Sequence, residues 1–183
     1  MRHTMGESIF DRLFRKRQKL IFLFKKGDIS KREYIEETYA YLQETNAKPF
    51  KRVDNFNKAI YNYQFYNMMA KHCNLKAREI KRYNKHPEIY QRYLRKVNYY
   101  YNRKDYSTLR AVEILEFFNV EAYYIRVSSS NLKDSLFEII FSEHEDIILH
   151  SKSQWLLERL KVEGVFKDEV KKSLIANYVN EKY

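Results

Sequence analysis

The clearest helical pattern of the chain lies at residues 88–104, which read EIYQRYLRKVNYYYNRK. Its apolar and aromatic side chains recur every three or four residues, the spacing of one helix face. This face holds Tyr90, Tyr93, Leu94, Val97, Tyr100 and Tyr101. The opposite face holds Arg92, Arg95, Lys96, Tyr99 and Arg103. Since a Pro suits the first turn of a helix, the sequence predicts that this helix begins at His86-Pro87.

Helical patterns also flank this stretch on both sides. Residues 7–26, 30–46 and 54–83 each show apolar side chains at helical spacing, with a possible break near Asn74 in the third. In the first pattern, Arg17 fills a gap in an otherwise apolar stripe. After residue 104, we expect a separate helix that is capped by Asp105 or Ser107 and ends at Asn119.

The junction of the first two helices reads FLFKKGDISKREY at residues 22–34. Gly27 is typical of a helix end, and Ser30 with Glu33 forms the pattern of a capping box at the start of the next helix. This arrangement resembles the SHOCT type of short helical hairpin over residues 9–43, in which Ile-Ser or Ile-Thr caps a second helix bearing Glu and an aromatic residue. The resemblance implies an oligomerisation or docking element rather than an active site.

The pattern changes to short strands near Val120. Residues 121–127, 135–141 and 147–150 are rich in β-branched and aromatic side chains, and a polar turn is expected at residues 143–146. A helix capped by Ser151 and Gln154 should follow and stop at Gly164, and a last helix should begin at Asp168.

The sequence therefore predicts a predominantly helical α+β fold. A basic helical region over residues 1–106 precedes a small α+β unit over residues 107–183, whose three-stranded antiparallel sheet is flanked by helices. The boundary is soft and no flexible linker marks it, so we expect the two parts to pack together as one compact body.

Charge is divided unevenly along the chain. Residues 1–110 carry 26 Lys and Arg against 11 Asp and Glu, whereas residues 111–183 carry 9 against 13. A segregated positive charge attracts polyanions, and the candidates are nucleic acid or an anionic membrane surface. RNA or DNA are the partners expected first. The acidic second part could also cover the basic region, and the sequence leaves that question open.

The strongest candidate for nucleic-acid binding is the window 48–110, with 16 Lys and Arg against 4 acids and 10 of the 17 tyrosines. Its proposed contact residues are Arg92, Arg95, Lys96, Tyr99 and Arg103, because cations neutralise phosphates and an exposed ring can stack on a base. A second basic patch consists of Arg12, Arg15, Lys16 and Lys19. The competing interpretation is a solvated basic face beside a core rich in tyrosine.

Two other classes of function remain open at this point. The protein could be an interaction or oligomerisation module, since aromatic residues and Arg are favoured at interfaces. It could also be a metal-dependent enzyme that uses a cluster of carboxylates and histidines between residues 138 and 150. The candidate side chains of that cluster are Glu138, Glu143, His144, Asp146 and His150.

No catalytic or metal signature rises above chance, so the sequence favours a non-enzymatic binding protein. No cofactor is expected, because a chain with only three glycines contains no glycine-rich phosphate loop. A single cysteine, Cys73, excludes an internal disulfide, and no transmembrane or secretory segment is found. These features predict a soluble, cytoplasmic protein.

Overall fold

The structure, a computed structural model, describes residues 8–83, 86–118, 123–127, 137–141 and 144–163. Within these ranges it contains five helices and three strands, which confirms the predicted α+β class with mainly helix. The chain groups into two compact units, Met1–Lys104 (unit 1) and Asp105–Tyr183 (unit 2). The predicted boundary near residue 106 and the expected packing of the two parts stay predictions.

Unit 1 begins with a helical hairpin formed by α1 (Ile9–Lys26) and α2 (Lys31–Glu44). Gly27 ends α1 with a φ of 85°, a left-handed conformation that glycine adopts without strain. The predicted capping box is present at the start of α2. The Ser30 hydroxyl accepts the Glu33 amide at 3.1 Å, and the Glu33 carboxylate accepts the Ser30 amide at 2.7 Å. Hydrogen bonding to the Glu33 carboxylate, first from the Ser30 backbone amide and then from the Ser30 side chain, holds the pKa of Glu33 below its ordinary value.

The third helix, α3 (Phe56–Tyr83), supplies most of the core of unit 1. It is continuous, so the break considered near Asn74 does not occur. The buried core of this unit combines side chains from α1, α2 and α3, including Leu13, Leu20, Leu42, Phe65 and Met68. A buried Asn62 on α3 also fixes the preceding loop, because its side-chain amide exchanges two hydrogen bonds with the backbone of Phe50 at 2.8 and 2.9 Å.

The fourth helix, α4 (Pro87–Phe118), corrects one prediction. It is a single helix where the sequence suggested two, and neither Asp105 nor Ser107 caps a new one. The Asp105 side chain is buried and accepts hydrogen bonds from two serine hydroxyls, those of Ser151 at 2.8 Å and of Ser153. A polar residue that looked like a local cap is therefore used for a contact distant in sequence.

Unit 2 contains an antiparallel sheet of β1 (Tyr123–Val127), β2 (Phe137–Phe141) and β3 (His144–Ser151), in the order β1-β2-β3. The strand β3 starts earlier than predicted, because residues 144–146 belong to the strand rather than to a turn. The inner face buries Tyr123, Ile125, Phe137, Ile139, Phe141 and Leu149. The helix α5 (Gln154–Glu163) follows and buries three leucines. The helix predicted after Asp168 lies outside the described residues.

Candidate nucleic-acid interface

The residues predicted on the outer face of residues 88–104 lie together on α4. Their positions repeat at three and four residues, so they form one stripe along the helix. All of them are exposed: Arg92, Arg95, Lys96, Tyr99 and Arg103. We call this set the α4 stripe. Residues 89–104 contain no Asp or Glu, so this part of the helix offers no carboxylate to neutralise the stripe locally.

The cations of the α4 stripe differ in what they contact. No carboxylate within the described residues forms an ion pair with Arg92, Arg95 or Lys96. The Lys96 ammonium lies 5.6 Å from the centre of the Tyr93 ring, and the Arg103 guanidinium lies 5.5 Å from the centre of the Tyr66 ring. Contacts of this kind orient a cation without removing its charge.

Tyr99 is the aromatic member of the stripe and differs from most tyrosines of unit 1. It is 57% exposed, whereas Tyr34, Tyr61, Tyr63 and Tyr66 are buried in the core. Its ring meets the neighbouring Tyr100 edge-on, with the ring centres 5.3 Å apart. The Tyr99 side chain therefore has the exposure that stacking on a base requires.

The second predicted patch has the same spacing but a different environment. Arg12, Arg15 and Lys19 are exposed on α1, whereas Lys16 is half-buried. The Lys16 ammonium lies 3.9 Å from the Glu37 carboxylate and 5.9 Å from the centre of the Tyr41 ring, both on α2. The packing of α1 against α2 thus neutralises part of this patch, which makes it the weaker candidate.

The histidine and carboxylate cluster of unit 2 comes together only in part. Glu138 and His150 face each other across β2 and β3, and their side chains approach at 3.2 Å. Ser151 points to the opposite, buried side of the strand and donates to Asp105, so it is not placed beside His150. Glu143 and the side chains of His144 and Asp146 lie outside the described residues. Among the residues that the structure does describe, no group of three His, Cys, Asp or Glu could hold a metal ion.

The sequence missed one set of polar residues inside unit 1. Lys104 is the neighbour of Arg103 in sequence, yet it is buried, with its ammonium 5.6 Å from the Tyr63 ring centre and 5.2 Å from that of Tyr101. Lys71 on α3 is half-buried. The position of Arg17 in an apolar stripe was the one sequence signal of this buried charge.

None of the described helices is both long and apolar enough to cross a membrane.

Comparison with known proteins gives one match. A protein-family model described as a family of unknown function, DUF6648, matches residues 3–183 and therefore covers both units. No curated protein and no solved structure is similar enough to the chain to count as a match. A function is therefore inferred from the geometry of the described residues.

Proposed function

Because the chain belongs to the DUF6648 family, for which no function is known, we propose a function from the geometry of unit 1: non-specific nucleic-acid binding through the α4 stripe. One observation carries the proposal. Four exposed cations and an exposed tyrosine share one helix face in a segment without acids. Such a face neutralises successive phosphates and releases their counterions.

The expected binding mode follows from the residue types. Arg92, Arg95, Lys96 and Arg103 contact phosphates, which are the same at every base pair, so they confer affinity without sequence preference. Tyr99 stacks on an unpaired base, which favours single strands over duplexes. The protein would then bind RNA or single-stranded DNA in many registers.

Salt dependence is the direct test of this mode. Fluorescence anisotropy of labelled RNA and DNA oligonucleotides should show affinity falling as salt rises from about 50 to 300 mM. Since each contact contributes a slope of about −0.7 on single strands and about −0.9 on duplexes, four contacts predict a log–log slope of about −3 to −4. Absence of binding at the lowest salt concentration contradicts the proposal.

A charge-reversed variant tests the site itself. Arg92→Glu, Arg95→Glu and Lys96→Glu together should weaken binding to every sequence by about 100-fold or more near 0.1 M salt and flatten the slope by about 2 to 3. The matched control is Lys48→Glu, Lys51→Glu and Lys81→Glu, which changes net charge equally at exposed positions that do not belong to α4. Equal losses in the two variants would show a net-charge effect and overturn the assignment to α4.

A second candidate function is self-association through the α1–α2 hairpin. The observation that favours it is exposed apolar surface on α1, where Ile9 is 53%, Phe22 65% and Phe24 41% exposed. The resemblance of residues 9–43 to a SHOCT hairpin, which implies an oligomerisation element, supports the same candidate. Light scattering at increasing protein concentration tests it: Phe22→Ser should lower the measured mass if the hairpin is the interface, and a wild-type monomer at every concentration rejects it.

A further inference from the structure

Unit 1 contains a second group of cations, which is less exposed than the α4 stripe. It takes one residue from each of four helices: Arg17 from α1, Lys31 from α2, Lys71 from α3 and Lys104 from α4. We call this set the cation cluster. Lys31 is exposed, Arg17 and Lys71 are half-buried, and Lys104 is buried. The cluster therefore extends from the surface into the bundle.

The other three members of the cluster are close enough to Lys71 to repel its charge. Burial and the like charges of Arg17, Lys31 and Lys104 lower the pKa of Lys71 from 10.5 to about 8. Within the described residues, no carboxylate pairs with Arg17, Lys31 or Lys71. Buried charges in proteins are normally paired, and within the described residues these three cations lack the negative partner that would stabilise them.

Arg17 gives an independent indication that a partner is missing. One nitrogen of its guanidinium donates to the Tyr34 hydroxyl at 3.1 Å, and this bond fixes the orientation of the planar group. Its Nε is buried and has no hydrogen-bond partner among the described residues. A buried donor without an acceptor costs free energy, which a bound oxyanion would recover by accepting from it.

We propose that Arg17, Lys31 and Lys71 form a binding site for a compact phosphate dianion, either inorganic phosphate or the terminal phosphate of a larger molecule. A tetrahedral dianion suits the set because Arg presents a planar fork of donors and each Lys adds a point charge. Lys104 adds positive potential at Lys71. The proposal concerns side chains of α1, α2 and α3 and does not depend on the α4 stripe.

Calorimetric titration with sodium phosphate, at constant ionic strength maintained with sodium chloride, tests the site. Wild-type protein should bind phosphate saturably, and Lys71→Met should weaken that binding by about tenfold or more, because a charged hydrogen-bond partner is lost. Arg17→Lys keeps the charge but removes the fork, and should weaken binding as well. The control is Lys81→Met, the same substitution at an exposed position near the end of α3.

The outcomes separate this proposal from the function of the α4 stripe. Absence of saturable phosphate binding in the wild type overturns the site, as does equal binding by Lys71→Met and Lys81→Met. The variant with Arg92, Arg95 and Lys96 reversed should retain phosphate binding, so the site can stand if nucleic-acid binding fails. A thermal shift caused by phosphate in Lys81→Met but absent in Lys71→Met supports the site and also shows that the second variant is folded.

Two sources of the phosphate are distinguished by competition. Oligonucleotides with a 5′-phosphate or a 5′-hydroxyl are compared as competitors of inorganic phosphate. Stronger competition by the phosphorylated form identifies the end of a nucleic acid as the ligand. Equal competition assigns the site to a free phosphate or a small phosphate monoester, and both results agree with the proposed chemistry.

Discussion

Asp105 in unit 2 and Lys71 in unit 1 are both withdrawn from water, but of the two only Asp105 has hydrogen-bond partners among the residues that the structure describes. Asp105 is 1% exposed, and its carboxylate accepts hydrogen bonds from Ser151 and Ser153. Lys71 is half-buried among Arg17, Lys31 and Lys104, whose charges repel it. We call a buried charge architectural when hydrogen bonds within the chain satisfy it, as they do for Asp105. Burial alone therefore does not distinguish an architectural charge from a binding site; the charge and the number of the neighbouring groups do.

The difference has a simple physical basis. A desolvated charge is stable when hydrogen bonds replace its lost hydration, as the two serines do for Asp105. Like charges around a desolvated cation increase the penalty instead. The first arrangement joins α4 to the segment around β3 and needs nothing from outside. The second becomes favourable only when an anion enters, and this is the reason that we assign a ligand to it.

The largest effect is expected from removing the architectural charge. Asp105→Ala should destabilise unit 2 by about 3 kcal/mol, because it leaves the hydroxyls of Ser151 and Ser153 without their acceptor in a buried site. Urea unfolding followed by tryptophan fluorescence measures this, since Trp155 is the single tryptophan and lies in α5, with its ring centre 4.9 Å from that of Tyr106.

The control for this prediction is an exposed carboxylate with a similar number of partners. Asp54 contacts the ammonium of Lys58 at 2.8 Å and the Arg52 side chain at 3.9 Å on the surface of unit 1. Asp54→Ala should change stability far less, because water replaces those partners. If Asp105→Ala proved as mild as Asp54→Ala, the description of Asp105 as architectural would be wrong.

Removing the charge of Lys71 should raise stability, whereas removing that of Asp105 should lower it. In phosphate-free buffer near pH 7, Lys71→Met should stabilise unit 1 by about 1 to 2 kcal/mol, because it removes a cation that burial and its neighbours disfavour. Urea unfolding followed by circular dichroism measures the change. A loss of stability in this variant would show that Lys71 is satisfied in the folded protein and would remove the contrast with Asp105.

The advantage of Lys71→Met should also depend on pH. Below about pH 8 Lys71 is charged in both the folded and the unfolded chain, so the penalty is complete. Between about pH 8 and 10.5 the folded chain releases the proton first, and wild-type stability rises relative to the variant. Burial raises the pKa of Tyr61, Tyr100 and Cys73, whose titration affects both proteins and cancels in the difference. A difference that is constant with pH contradicts the assignment.

The contrast between the two charges also shows what a sequence can disclose. Gly27, Ser30 and Glu33 act on their immediate neighbours, so the hairpin could be predicted residue by residue. The α4 stripe was equally accessible, since a helix face depends only on spacing. Asp105 was misread as a helix cap because its partners lie more than forty residues away in the sequence.

The cation cluster could not be predicted from the sequence, for a related reason. Its members are separated by up to 87 positions and come from four helices, so only the packing of the bundle brings them together. Arg17 was visible as a cation in an apolar stripe, but the periodicity does not say which helix faces it. A local pattern thus predicts which side chains share a face, and leaves open what lies opposite.

The smallest effect is expected from an exposed residue that carries no charge. Tyr99→Ala should weaken binding of single-stranded RNA by about fivefold, because one base loses its stacking partner, and should leave duplex affinity nearly unchanged, since paired bases are not available. Tyr83→Ala is the matched control, as Tyr83 is 63% exposed, lies on α3 and is not part of the stripe. An equal effect on single strands and duplexes would mean that the surface recognises phosphates alone. In that case the α4 stripe and the cation cluster would differ only in the shape of the anion that each accepts: an extended backbone on the surface and a compact dianion inside the bundle.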